Sequence, residues 1–142
     1  MKKILFLLLM LSSTLSFSQS IIGKWKSIDE KTGKDESIIE IYFEKGKYYG
    51  KIIQLLNPEK KGAICEKCTG KNKNKSIKGL VIINGLKKNG NEWSGGKVLD
   101  PKNGKEYKCF ITFKDKNTLK LRGYIGFSVF GRTTYWYRVD NQ

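Results

Sequence analysis

Gly23-Lys24-Trp25 and Trp136-Tyr137-Arg138 bracket the chain between its first residues and its end. An Arg guanidinium can lie flat on an indole face, and such a stack is worth about 0.5–2 kcal/mol depending on burial. Stacking Arg138 on Trp25 would tie the first strand to the last, with Gly23 at the point of entry. A chain whose two ends meet in this way points to a closed sheet.

The sequence between the brackets agrees with that reading. No window carries a sustained 3.6-residue apolar stripe. β-branched and aromatic residues instead fill short runs between Gly, Asn and Asp clusters. The runs predict eight strands at about 22–29, 37–43, 47–56, 79–86, 92–99, 105–113, 118–125 and 132–139. Asp100-Pro101-Lys102-Asn103-Gly104 is a tight turn, with Pro presetting φ and Asn-Gly accepting positive φ. Most connections are short, which favours pairing of successive strands. An open meander would leave two exposed edges, and closure removes them. The expected fold is therefore all-β: an eight-stranded antiparallel up-and-down barrel, with one long loop between strands 3 and 4. The lumen of such a barrel is either filled by side chains or holds one small ligand.

Alternation sets the expected facing. Tyr107, Cys109, Ile111 and Phe113 should point inward, as should Leu119, Leu121 and Ile125, and Ile39, Ile41 and Phe43. Strands 3 and 4 are apolar on both faces, in Ile52-Ile53, Leu55-Leu56 and Leu80-Val81-Ile82-Ile83. Either the long loop covers them or they form an association surface.

Residues 1–18 read as a secretory signal. Lys2 and Lys3 precede the apolar run 4–11, and Ser16-Phe17-Ser18 supplies small residues for cleavage after Ser18. The run is too short to span a bilayer, and no other stretch could cross one. One domain, residues 19–142, follows, in the periplasm or outside the cell. It holds 26 of the 28 basic residues and all 13 acidic ones, a net charge of +13. Such a charge suggests nucleic acid inside a cell, but export removes nucleic acid as the expected partner. Anionic envelope lipid or polysaccharide takes its place, unless the lysines only solubilise the surface. Arg is used at three positions alone, Arg122, Arg132 and Arg138, where a planar fork or stacking face is needed.

Three constellations are candidates for function. Cys65-Glu66-Lys67-Cys68 sits in a Lys-rich loop without the strand-to-helix context of a redox CxxC, and reads as a structural disulfide. With three Cys and no His there is no full zinc ligand set, and no cofactor is expected. Cys109 would be a lone buried thiol. The loop 57–78 carries seven Lys against Glu59 and Glu66. It is either a flap at the barrel mouth or a solvated insert. Arg122, Tyr124, Phe127, Phe130 and Arg132 surround a Gly-bounded corner. They form either a mouth for a ligand with an apolar body and an anionic head, or a packed corner whose Phe residues plug the barrel.

An enzyme is not expected. The absence of His removes the usual general base. The turn acids Asp29, Glu30, Asp100 and Asp115 are not placed together by sequence spacing.

The joint set Gly23-x-Trp25, Cys65-x-x-Cys68, Trp93-x-Gly95-Gly96, Asp100-Pro101-x-x-Gly104-x-x-Tyr107, Arg122-Gly123-Tyr124-x-Gly126, Gly131-Arg132 and Trp136-x-Arg138 resembles the bacterial domain-of-unknown-function family 2147. The resemblance covers about residues 21–139. It implies a small exported protein of lipocalin-like (calycin) shape, and brings no reaction or ligand with it. The expected function is to bind a small, hydrophobic or amphipathic ligand in the barrel. The alternative is an envelope structural or interaction protein with a packed barrel, whose basic surface contacts anionic envelope polymers.

Overall fold

A computed structural model describes residues 18–140. Of the leader expected over residues 1–18, residues 1–17 lie outside the described residues. Eight strands close into one antiparallel barrel in sequence order: β1 (Gly23–Ile28), β2 (Asp35–Glu44), β3 (Lys47–Leu55), β4 (Val81–Asn89), β5 (Glu92–Asp100), β6 (Lys105–Asp115), β7 (Thr118–Tyr124) and β8 (Gly131–Arg138). β4 starts two residues later than sequence expected and runs three residues further. Its ladder with β3 begins only at Val81, opposite Lys51.

The seam between β1 and β8 is short. Trp25 pairs with Arg138 and Lys26 with Tyr137. The Arg138 Cζ stands 4.3 Å from the Trp25 ring centroid. Its Nε and Nη2 donate to the Lys116 carbonyl at 3.3 and 3.2 Å. The Trp25 indole donates to the Ile21 carbonyl at 2.8 Å. Gly23 has φ +135°, and a Cβ there would face the Arg138 Nη1. One cation therefore stacks on the first strand, bonds to the β6–β7 turn and belongs to the last strand. Lys has no plane for the stack and no second donor in a fixed fork. Arg138→Lys should thus lower the melting temperature nearly as much as Arg138→Ala, each by the equivalent of about 1–2 kcal/mol. Thermal denaturation of the three proteins checks this, and a Lys variant that melts like the parent would refute the stack.

Below the seam the lumen is solid. Trp93 meets Phe113 edge-on with centroids 5.7 Å apart, Phe113 meets Trp25 at 6.1 Å and Trp93 meets Tyr48 at 6.2 Å. Ile41, Ile83, Leu86, Ile111 and Leu119 fill the spaces between them and are fully buried. Connections alternate between the two ends of an up-and-down barrel. The β2–β3, β4–β5 and β6–β7 turns lie at this packed end. The β1–β2, β3–β4, β5–β6 and β7–β8 connections lie at the other.

Two facing expectations need correction. Phe43 and Ile125 are exposed, not buried inside the barrel. Phe43 sits one residue from the end of β2 and packs edgewise on Tyr48, with centroids 4.8 Å apart. Ile125 lies just past the end of β7, where the inside of the barrel has already opened. The doubly apolar stretch of β4 is covered by the long loop. Leu80 and Ile82 are buried in one cluster with Cys65 and Cys68, and Ile77 packs against it.

Candidate functional site

The loop that precedes β4 is an ordered structure, not a solvated insert. Short 3-10 turns at Pro58–Lys60 and Gly70–Asn72 flank an antiparallel bridge between Ile64 and Ser76. The Cys65 amide donates to Lys75 at 2.7 Å, and Ile77 to Ala63 at 2.9 Å. Cys65 and Cys68 are joined in a disulfide and both are buried. The Cys65 sulfur, which carries no proton in the disulfide, contacts the Pro101 carbonyl oxygen at 3.7 Å. Gly104, at φ +73°, lies so close to this loop that a Cβ would overlap the Lys67 carbonyl. The disulfide loop is thus seated on the β5–β6 turn.

This seating makes the loop one wall of a mouth. At the open end a cavity of about 650 Å3 enters the barrel. Ile39, Ile52, Val98, Leu121 and Trp136 form its apolar wall, and Lys60, Ala63 and Ile77 bring the long loop to it. Polar handles are few. Ser27 and Ser37 hydroxyls share a buried hydrogen bond of 2.7 Å. The Tyr107 hydroxyl accepts from Asn103 Nδ2 at 2.8 Å.

Charges crowd the rim. Lys102 Nζ lies 2.9 Å from Glu36 Oε1 and 3.3 Å from Asp29 Oδ2. Arg132 lies between Glu30 at 3.8 Å and Asp100 at 4.0 Å. Both cations tie the β1–β2 hairpin to the β5–β6 turn across the opening. The Arg132 contacts, long and made by an exposed side chain, hold weakly and can be exchanged for a ligand's charge, whereas those of Lys102 are short and made to partly shielded acids. Burial acts to lower the Lys102 pKa, but the hydrogen bonds and charges of Glu36 and then Asp29 outweigh it, leaving it above the ordinary lysine value. The backbone amides of Thr32 and Lys31, and more weakly Lys102, hold Asp29 below the usual carboxylate value. Asp29 is thus an anion at neutral pH and has no proton to donate. Lys31 and Lys60 also line the mouth and have no ion pair among the described residues.

The corner residues divide into two groups. Tyr124, Phe130 and Arg132 line the cavity. Arg122 and Phe127 do not. Arg122 turns onto the β7–β8 connection, donating from Nε to Ser128 O at 3.0 Å, from Nη2 to Val129 O at 3.2 Å and from Nη1 to Thr133 Oγ1 at 3.0 Å. Its fork holds a turn rather than facing a ligand. The reading of the Phe residues as a plug fails, because Phe127 and Phe130 are both exposed. Trp25, Gly23 and Arg138 lie at the opposite, packed end.

Sequence spacing missed Glu36 and Lys102, and it left Asp29, Glu30 and Asp100 apart, whereas the fold gathers all five at the rim. The parity of a meander could have found them, since alternate connections share one end. Gly123 was also missed as a site residue. It lines the cavity beside Arg132, its partner in register on β8.

Cys109 is buried, and burial alone pushes its thiol up to about 12, so it is no nucleophile at neutral pH. Among the described residues no group of acids, Cys or His is arranged to hold a metal. No described helix is long and apolar enough to cross a membrane. A second, smaller groove of about 330 Å3 runs outside the barrel beside the loop. Its rim carries Lys71, Lys75, Lys78 and Lys97 against Glu106, over Leu80 and Ile82.

No curated protein is similar to this chain at a significant level. Among solved structures, protein HP1028 from the human pathogen Helicobacter pylori, described as belonging to the lipocalin family, superposes with a TM-score of 0.75. The two are 22% identical, over 86% of this chain and 84% of that one. The likeness establishes the lipocalin-like barrel. Residues 23–138, from the glycine that enters β1 to the arginine stacked on Trp25, match the family described as "Uncharacterized protein conserved in bacteria (DUF2147)", and the chain belongs to that family.

Proposed function

We propose that this protein is an exported carrier that holds one small amphipathic molecule, its apolar body in the barrel and its anionic head at the rim. The observation that carries the reading is the cavity of about 650 Å3, open at one end and apolar in its walls. That volume falls in the middle of the range of small-molecule sites, about 300–1,000 Å3. Lys31, Lys60 and Arg132 favour a carboxylate or phosphate head over a cationic one. The leader-like residues 1–18 support export. Titration with a fluorescent fatty-acid analogue tests the proposal. Saturable, one-to-one enhancement, weaker for the matching fatty amine, is expected. Equal weak response to both probes would refute the anionic-head reading, and no response to either would refute the carrier.

The lysine-lined outer groove supports a second reading, contact with anionic envelope polymers. Its signature is retention on immobilised lipopolysaccharide that falls steeply with salt. Retention unchanged when Lys71, Lys75 and Lys78 are replaced together by Gln would exclude the groove.

A further inference from the structure

The β7–β8 connection is an unusual surface feature. Ile125, Phe127, Val129 and Phe130 are 68, 77, 73 and 71% exposed on a single short turn. Isolated exposed apolar residues are ordinary, but four large ones on a loop tip mark an interaction surface. Among the described residues nothing covers them.

The turn's backbone identifies the partner. Backbone groups that enter hydrocarbon must already be paired, whereas groups left at headgroup level can bond to the lipid. Here the carbonyls of Ser128 and Val129 accept from the Arg122 guanidinium. The Phe127 carbonyl accepts from the Phe130 amide at 3.0 Å, and the Phe130 carbonyl from the Ile125 amide at 3.4 Å. Four successive carbonyls at the tip are thus satisfied from within, whereas the amides of Gly126, Phe127, Ser128 and Val129 have no acceptor among the described residues. At a bilayer interface the apolar side chains meet acyl chains while these open amides meet the phosphate oxygens of anionic headgroups. The strongly basic chain adds attraction to anionic headgroups.

We propose that the tip at residues 125–130 docks the protein on an anionic lipid bilayer, inserting Phe127 and Val129 into the interface. Ile125 and Phe130 also line the cavity. Docking therefore turns the mouth toward the membrane and leaves an apolar path between lipid and lumen. The docking itself does not depend on what the cavity holds.

The protein is purified from a bacterium expressing the full chain, and its N-terminus is read by mass spectrometry. Phe127→Trp is then titrated with vesicles of phosphatidylethanolamine and phosphatidylglycerol in equal parts. Its emission, taken as a difference from the parent with buried Trp25, Trp93 and Trp136, should move to the blue and be quenched by acyl-brominated lipid. The double variant Phe127→Asp/Val129→Asp should partition onto vesicles at least about tenfold more weakly, with unchanged melting temperature and probe uptake. Vesicle docking without probe uptake would support the tip and refute only the carrier. Unmoved emission, or a double variant that partitions like the parent, would overturn the proposal. So would a tip-dependent dimer in sedimentation equilibrium without vesicle binding.

Discussion

Gly123→Leu is expected to cut uptake of a fatty-acid probe by at least about tenfold while leaving the melting temperature equal to the parent's or higher. Gly123 lines the cavity on β7, in the same alternation as the buried Leu119 and Leu121. A Cβ placed there meets only Val98 Cγ1 at 3.5 Å and Tyr107 Cβ at 3.8 Å, ordinary van der Waals distances. Its φ is not in the left-handed region, so a leucine backbone is unstrained. Glycine within a strand costs about 0.5–1 kcal/mol through its extra freedom in the unfolded chain, and leucine recovers that. The isobutyl group enters space now open to a ligand. The opposite signs of the two effects separate lost volume from lost fold. A variant that both melts early and loses uptake would mean the site is packed, not open.

Gly104→Ala is expected to act in the reverse direction, with stability lost first. Its φ of +73° disfavours any side chain, and the new Cβ would overlap the backbone of Lys67 at the disulfide loop. Backbone cannot rotate aside as a side chain can, so the 65–68 loop must lift from the β5–β6 turn. Strain of about 1–3 kcal/mol for the conformation plus the displaced packing should lower the melting temperature by roughly 10 °C. Gly33→Ala is the control. Gly33 has a similar φ of +69°, but nothing lies within 4 Å of its Cβ position, so it reports the conformational strain alone. If both variants lose the same amount, the loop is not seated on Gly104. If Gly104→Ala alone also weakens probe uptake, the loop is a working wall of the mouth.

The barrel was legible because its cues are local or terminal. Alternation in residues 105–113 and 118–125, turn residues between strands, and the Trp25 and Arg138 pair each point to the same closed sheet. Bulges made some facing illegible. Register shifts at Gly50/Lys51 and between Trp93 and Gly96 change which side chains point inward without leaving an obvious mark in the sequence. The candidate site was legible only in part. Of the corner residues grouped by their Gly-bounded turn, Tyr124, Phe130 and Arg132 line the cavity. Arg122 was grouped with them because a sequence shows that an Arg is present but not which carbonyls it holds. The ion pairs of Lys102 and Arg132 join connections about 70 to 100 residues apart in sequence, a closeness that only the closed topology creates. The lysines of the long loop left a flap at the mouth and a solvated insert equally open. Its order comes from Cys65, Cys68 and Ile77, few residues but all placed against the core.

Native mass spectrometry of the protein taken from its own host without delipidation tests the carrier directly. One small-molecule adduct per chain is expected, lost on organic extraction and absent from Gly123→Leu. A bare mass for the parent, with no adduct regained on incubation with a total lipid extract of the host, would contradict it.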